Sequence, residues 1–204
     1  QSSHRYCLAG AAISGGWVFY GNDGGYLHGL ANWTRYDFDV GAGTDKWAFE
    51  GEVSNNPPST ANDPSGAIES YSAISADDGT YESEYSDSNY AAHRFNFSIS
   101  ESASEISKIN VTWNGKGWHD NGGADNGAYL YIYNFSATSA PYYDELDNNS
   151  GVGTDATLTG EKTSNINNYI NSGNVTVLVV QKTAGSAPEC SWIETDYVKL
   201  VVTP

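Results

Sequence analysis

Positive charge is scarce in this sequence. Nine Lys and Arg stand against 25 Asp and Glu, a formal net charge of −16 over 204 residues. Nucleic acids and anionic membranes are bound through clustered Lys and Arg, so both are excluded as partners. The same acidity suits Ca²⁺, a hard cation that takes carboxylate and carbonyl oxygens. Methionine is missing altogether, even at position 1, and no apolar leader opens the chain. Gln1 is therefore expected to begin a mature chain after signal removal, or a trimmed one. No run approaches the roughly 20 apolar residues of a membrane-spanning helix, so membrane insertion is not expected.

Cysteine is limited to Cys7 and Cys190. In a secreted chain the two are expected to pair. Closing a loop of about 180 residues is worth about 5 kcal/mol on the chain-entropy view. An intermolecular bond is the alternative if the N-terminal segment is exchanged between copies. Catalytic signatures are missing as well: there is no H-E-x-x-H, no G-x-S-x-G and no phosphate-cradling Gly-Lys-Ser/Thr. The four histidines, at 4, 28, 93 and 119, have no metal-ligand spacing. The chain is not expected to be an enzyme.

What is present is β-forming. Hydrophobic residues make up 39% and aromatics 13%, too much for a solvated coil. The segment 190–202 is β-branched and aromatic, with Val198, Leu200 and Val202 on one face and Tyr197, Lys199 and Val201 on the other. Period-2 alternation recurs at Phe95/Phe97/Ile99, Ile109/Val111/Trp113 and Val175/Val177/Val179. Tyr36–Val40 and Trp47–Gly51 read as a hairpin across 41–45, and 67–75 as a further strand. An acidic loop follows from Asp77 to Asp87, and the one helical candidate is 164–170. Strands separated by Gly, Asn, Asp and Ser loops predict an all-β antiparallel sandwich. Segment 128–135 is apolar on both sides, so one side is expected to meet the core and the other a partner, a sugar or a loop.

Residues 1–25 form a distinct stretch, small, apolar and nearly uncharged, with the sandwich expected over 26–204. They read either as a first strand or as an arm that completes the sheet of a neighbouring copy through Leu8, Ile13, Trp17, Val18 and Phe19. Six N-x-[ST] sequons begin at Asn32, Asn96, Asn110, Asn134, Asn148 and Asn174. At Asn96, Asn110 and Asn174 the asparagine falls off the apolar face, where a glycan is tolerated. Asn134 shares a face with Leu130 and Ile132.

An ordered set of stretches runs from Trp47 to Val202: Lys46-Trp-Ala-Phe-Glu, Ser75-Ala-Asp-Asp-Gly-Thr-Tyr, Ile109-Asn-Val-Thr-Trp-Asn-Gly, Tyr129-Leu-Tyr-Ile-Tyr-Asn and Thr195-Asp-Tyr-Val-Lys-Leu. It resembles a jelly-roll domain of secreted surface proteins of archaea and bacteria, of the galactose-binding or carbohydrate-binding-module kind. The resemblance implies a structural Ca²⁺ where an early acidic loop meets the last strand, at Asp77, Asp78 and Asp196 first and at Glu69 as a less favoured choice.

Two functions are expected from this. The first is an extracellular structural subunit of a cell-surface filament, sheath or layer, joined to copies of itself by the N-terminal arm. The alternative is a non-catalytic carbohydrate-binding module using Trp118 and His119 beside the 120–127 loop; Trp113 belongs to a core face.

Overall fold

The computed structural model describes residues 34–37 and 46–204. Cys7, Asn32 and the assembly residues Leu8, Ile13, Trp17, Val18 and Phe19 lie outside the described residues, as does the expected arm.

Among the described residues the strands are β1 (Thr34–Asp37), β2 (Lys46–Val53), β3 (Gly66–Ala67), β4 (Glu82–Ser86), β5 (Tyr90–Ser98), β6 (Lys108–His119), β7 (Ala128–Tyr133), β8 (Tyr143–Asn148), β9 (Ala156–Lys162), β10 (Asn174–Gln181) and β11 (Ser191–Thr203). They form two antiparallel sheets, ordered β1-β11-β6-β9 with β4 also on β11, and β3-β2-β5-β10-β7-β8. The fold is an all-β antiparallel sandwich of jelly-roll type.

Alternation decides what the sandwich buries. Ile109, Val111 and Trp113 of β6, with Val198, Leu200 and Val202 of β11, face Phe95 and Phe97 of β5 and Val175, Val177 and Val179 of β10; all are at most 1% exposed. A bulge between Thr195 and Tyr197 resets the alternation of β11. Ile193 and Thr195 point inward before it, Val198 after it, and Asp196 is buried at the irregularity itself.

Four local expectations change. Strand β2 pairs with β3 and β5, whereas β1 pairs with β11 in the other sheet, so 36–51 is no hairpin. Segment 67–75 contributes only Ala67 to the two-residue β3 and then a 3₁₀ turn at Tyr71–Ile74. Its serines bond locally, Ser70 Oγ to Ser72 Oγ and Ser75 Oγ to the Ser72 carbonyl, which competes with a strand. The acidic stretch after Asp77 contains β4, with Glu82 and Ser86 buried and Tyr85 exposed. The helical candidate near 164–170 is a 3₁₀ turn, Ile166–Tyr169.

The second apolar face of β7 is covered by the chain itself. Val53, Ala92, Tyr131, Tyr143, Leu178 and Val180 form a buried cluster on the outer side of that sheet. Loop 54–65 lies over it: Asn56 Nδ2 donates to the Gln181 carbonyl (3.3 Å), Arg94 Nε to the Pro64 carbonyl (2.8 Å) and the Tyr143 hydroxyl to the Thr60 carbonyl (3.4 Å). Gly51, at φ +143°, lets Pro64 approach: a Cβ there would lie 3.1 Å from the Pro64 Cβ.

Candidate functional site

The outer face of the β11 sheet carries a row of aromatic rings. The register sets Trp192 of β11 opposite Tyr85 of β4 on one side and Trp118 of β6 on the other. Trp118 and Trp192 stack with centroids 4.8 Å apart at 4°, Trp192 and Tyr85 at 4.9 Å and 28°. Those separations equal the spacing of neighbouring strands, so the rings stand side by side across the sheet. Strand β4 has no further partner among the described strands, and Tyr85 at the end of the row is 56% exposed. Trp192 and Trp118 are half-buried.

Carboxylates hold the indoles upright. Trp118 Nε1 donates to Glu194 Oε1 (2.8 Å) and Trp192 Nε1 to Asp120 Oδ1 (3.2 Å). Asp120 Oδ2 accepts the Cys190 amide (2.8 Å), which fixes the loop after β6 against the start of β11. Glu194 Oε2 pairs with Lys116 Nζ at 2.8 Å, and that ammonium lies 4.5 Å from the Tyr81 ring centroid. Gly117, beside Trp118, lets the chain return closely, since a Cβ there would meet the Gly127 carbonyl oxygen at 2.4 Å.

His119 does not share this face. It is 4% exposed, with Nε2 donating to the Ala184 carbonyl (3.2 Å) and Nδ1 accepting the Asn121 amide (3.2 Å). Successive strand residues point to opposite faces, so Trp118 outward requires His119 inward. Tyr85 is hard to see in the sequence because the acids around it read as a loop. Trp192 does alternate with the inward Ile193, a signal that was available.

Asp77, Asp78 and Asp196 do come together, as a latch. The buried Asp196 accepts the Asp78 amide on Oδ1 (3.2 Å) and the Gly79 amide on Oδ2 (2.9 Å). Asp77 Oδ2 accepts Asn114 Nδ2 (3.3 Å), and Asp78 Oδ1 accepts the Thr80 amide (2.9 Å). Asn114 Oδ1 is a buried acceptor without a partner. Each of the three carboxylates already accepts hydrogen bonds within the chain, whereas Ca²⁺ takes roughly six to eight oxygen ligands. Among the described residues no group of three or more His, Cys, Asp or Glu is placed to hold a metal. The residues do not fit the expected Ca²⁺ site in this arrangement. Glu69 is elsewhere, its backbone amide donating to Glu82 Oε1 (3.1 Å).

That contact belongs to a second acidic group, where β2 and β4 close one side of the sandwich. Glu50 hydrogen-bonds Glu82, and burial first, then the charges of Glu82 and Glu84, push its carboxyl up to about 7. Glu50 Oε2 is buried without a partner. Opposite Glu50 in register stands His93, fully buried and pushed down to about 3 by burial. Its Nδ1 meets Thr195 Oγ1 at 2.8 Å, while Nε2 has no partner.

The described sequons are spread over both sheets and their loops. Asn96 is half-buried, its Oδ1 accepting Arg94 Nη1 and Thr176 Oγ1, both at 3.1 Å. Asn110 and Asn174 are also half-buried, and Asn148 is exposed. Asn134 lies past the end of β7, where its Oδ1 accepts the Ser136 amide in a turn, so it is not on the strand's apolar face. Cys190 is half-buried and its expected partner lies outside the described residues.

Comparison with solved structures returns β-sandwich domains at low likeness. The K1 cleaved adhesin domain of Lys-gingipain from Porphyromonas gingivalis W83 shares 10% identity at a TM-score of 0.42, covering 83% of this chain and 97% of that one. The CBM36-1 domain of a multidomain xylanase from the hindgut metagenome of Trinervitermes trinervoides shares 14% at 0.34, covering 83% and 96%. A carbohydrate-binding module CBM36 in complex with calcium and xylotriose shares 11% at 0.31, covering 84% and 99%. Likeness of this size carries no functional argument. No curated protein matches. A family match does span most of the sequence: through residues 43–204 the chain belongs to the family AF_1625_C, described as "Uncharacterized protein, C-terminal domain".

Proposed function

We propose that the chain is a non-catalytic, extracellular carbohydrate-binding domain whose ligand lies against Tyr85, Trp192 and Trp118. The observation that carries this reading is the aromatic row itself. Three large rings stand in register on the outer face, ending in a Tyr85 that is more than half exposed. The core uses none of them, since Trp113 fills it from the other side of β6. The exposed side of Tyr85 offers a sugar's C–H surface a flat apolar contact, and Glu194 and Asp120 beside the indoles offer acceptors to hydroxyl groups. The acidic, asparagine-rich surface and the sequons suit a protein working outside the cell.

The self-assembling subunit has less in its favour. Its arm lies outside the described residues, and the strand expected to offer a second apolar face to a partner is covered by loop 54–65. The test is glycan-array and affinity-gel binding by wild type, Trp192→Ala and Tyr85→Ala, each checked for an unchanged melting transition. Binding lost in both variants with the fold intact supports the reading. Retention by wild type of no glycan at all would sink it.

A further inference from the structure

Resting on that glycan reading, we infer that the aromatic row selects sugars bearing free amino groups, recognised as ammonium ions by the rings and the carboxylates around them. Both indole N–H groups are already donated, to Glu194 and to Asp120. The rim therefore presents lone pairs and negative charge to a ligand and has no indole donor left to give. Further carboxylates gather at the same end of the sheet. Burial, and after it the charges of Asp120, Asp87 and Glu189, push the Cys190 thiol up, which places those acids around the residue two positions before Trp192. Lys116, two residues before Trp118, is taken up by Glu194 and the Tyr81 ring.

An electron-rich ring face bordered by acids attracts cations, and the exposed side of Tyr85, stacked on Trp192 by its other face, is such a surface. A neutral sugar would use the rings and leave the charges unanswered. A uronate or sulfated sugar would meet repulsion from the acids and from a net charge of −16. A chain of amino sugars answers both features at once.

Calorimetric titration with glucosamine oligomers, their fully N-acetylated counterparts and oligouronates, at mildly acidic pH and low salt, tests the inference. The amino oligomers are expected to bind about tenfold more tightly than the acetylated ones, the size of one cation–π contact. That preference should shrink as salt rises and in Asp120→Asn, while Trp192→Ala removes binding of both. Asn keeps an oxygen for Trp192 Nε1, and a melting curve confirms the fold of the variant. Equal binding of amino and acetylated oligomers overturns the amine selectivity and leaves the glycan reading standing. Binding of no oligomer overturns both. Amino-oligomer binding that survives Trp192→Ala, or is matched by oligolysine, makes the attraction a general one of charge and overturns the selective site.

Discussion

At the scale of single residues, one hydroxyl ties the two sheets together. Thr195 Oγ1 accepts Trp113 Nε1 (2.8 Å) and meets His93 Nδ1 (2.8 Å), all three buried. Replacing Thr195 by Val keeps the shape and strands two buried polar groups. The expected loss is about 2–3 kcal/mol in chemical unfolding, because an unmet buried donor bears its full desolvation cost. Thr195→Ser should recover most of it. The sequence showed Trp113 as core, through its alternation with Ile109 and Val111. It could not show Thr195, which meets Trp113 only across the β11–β6 register. His119 was misread by its adjacency to Trp118, although strand geometry alone puts neighbours on opposite faces.

At the scale of elements, the two sides of the sandwich are closed by opposite chemistry. Strands β8 and β9 are joined by unlike charges: Asp144 Oδ2 takes Lys162 Nζ (3.2 Å) and the Tyr169 hydroxyl (2.7 Å). Burial works against that carboxylate, yet Tyr169 and Lys162 hold it below its usual range. Its contribution is complete above the unfolded value and is lost as pH falls through the lower folded one. Strands β2 and β4 are joined by Glu50 and Glu82, which share a proton. Glu50 is held up at about 7, against 4.5 unfolded. The folded chain therefore keeps a proton that the unfolded chain releases, and stability falls as pH rises from about 4.5 to 7. Glu50→Gln should flatten that slope and raise stability at pH 8 by about 1–2 kcal/mol, the shift discounted for solvent screening. Melting curves from pH 5 to 8 for the two proteins check it.

The Asp196 latch gives a further element-scale expectation. Asp196→Ala strands the amides of Asp78 and Gly79 and should lower the melting temperature. Added Ca²⁺ or EDTA should leave wild type unchanged, and a Ca²⁺-dependent rise would restore the expected ion. The meeting of this loop with the last strand was legible, carried by Asp77-Asp78-Gly79 and Thr195-Asp196-Tyr197. Its hydrogen-bonded nature was not, because ligand and cap use the same carboxylate. Strand β4 escaped notice for a related reason: Glu82 and Glu84 look like a solvated loop until a second sheet lies over them.

At the scale of the molecule, class and architecture were legible because period 2 is a local property, repeated in β5, β6, β10 and β11. The assignment of strands to sheets was not, and β1 and β2 show why. They are close in sequence and belong to different sheets, a choice made by partners 37 or more residues away. The aromatic row is invisible for the same reason, since it exists only once β4, β11 and β6 are aligned.

The outermost strands have one more consequence, for solubility. An open sheet border is a template for other chains, and proteins guard it with brevity and charge. Here β3 has two residues and β1 four, β4 carries Glu82 and Glu84, β8 carries Asp144, Glu145 and Asp147, and β9 carries Glu161. At neutral pH these acids keep the borders apart between molecules. Near the isoelectric point of about 4.3 they do so no longer. Light scattering followed down to that pH should show the sandwich associating while its circular dichroism still reports folded β-structure, and 0.15 M salt should bring the onset to higher pH.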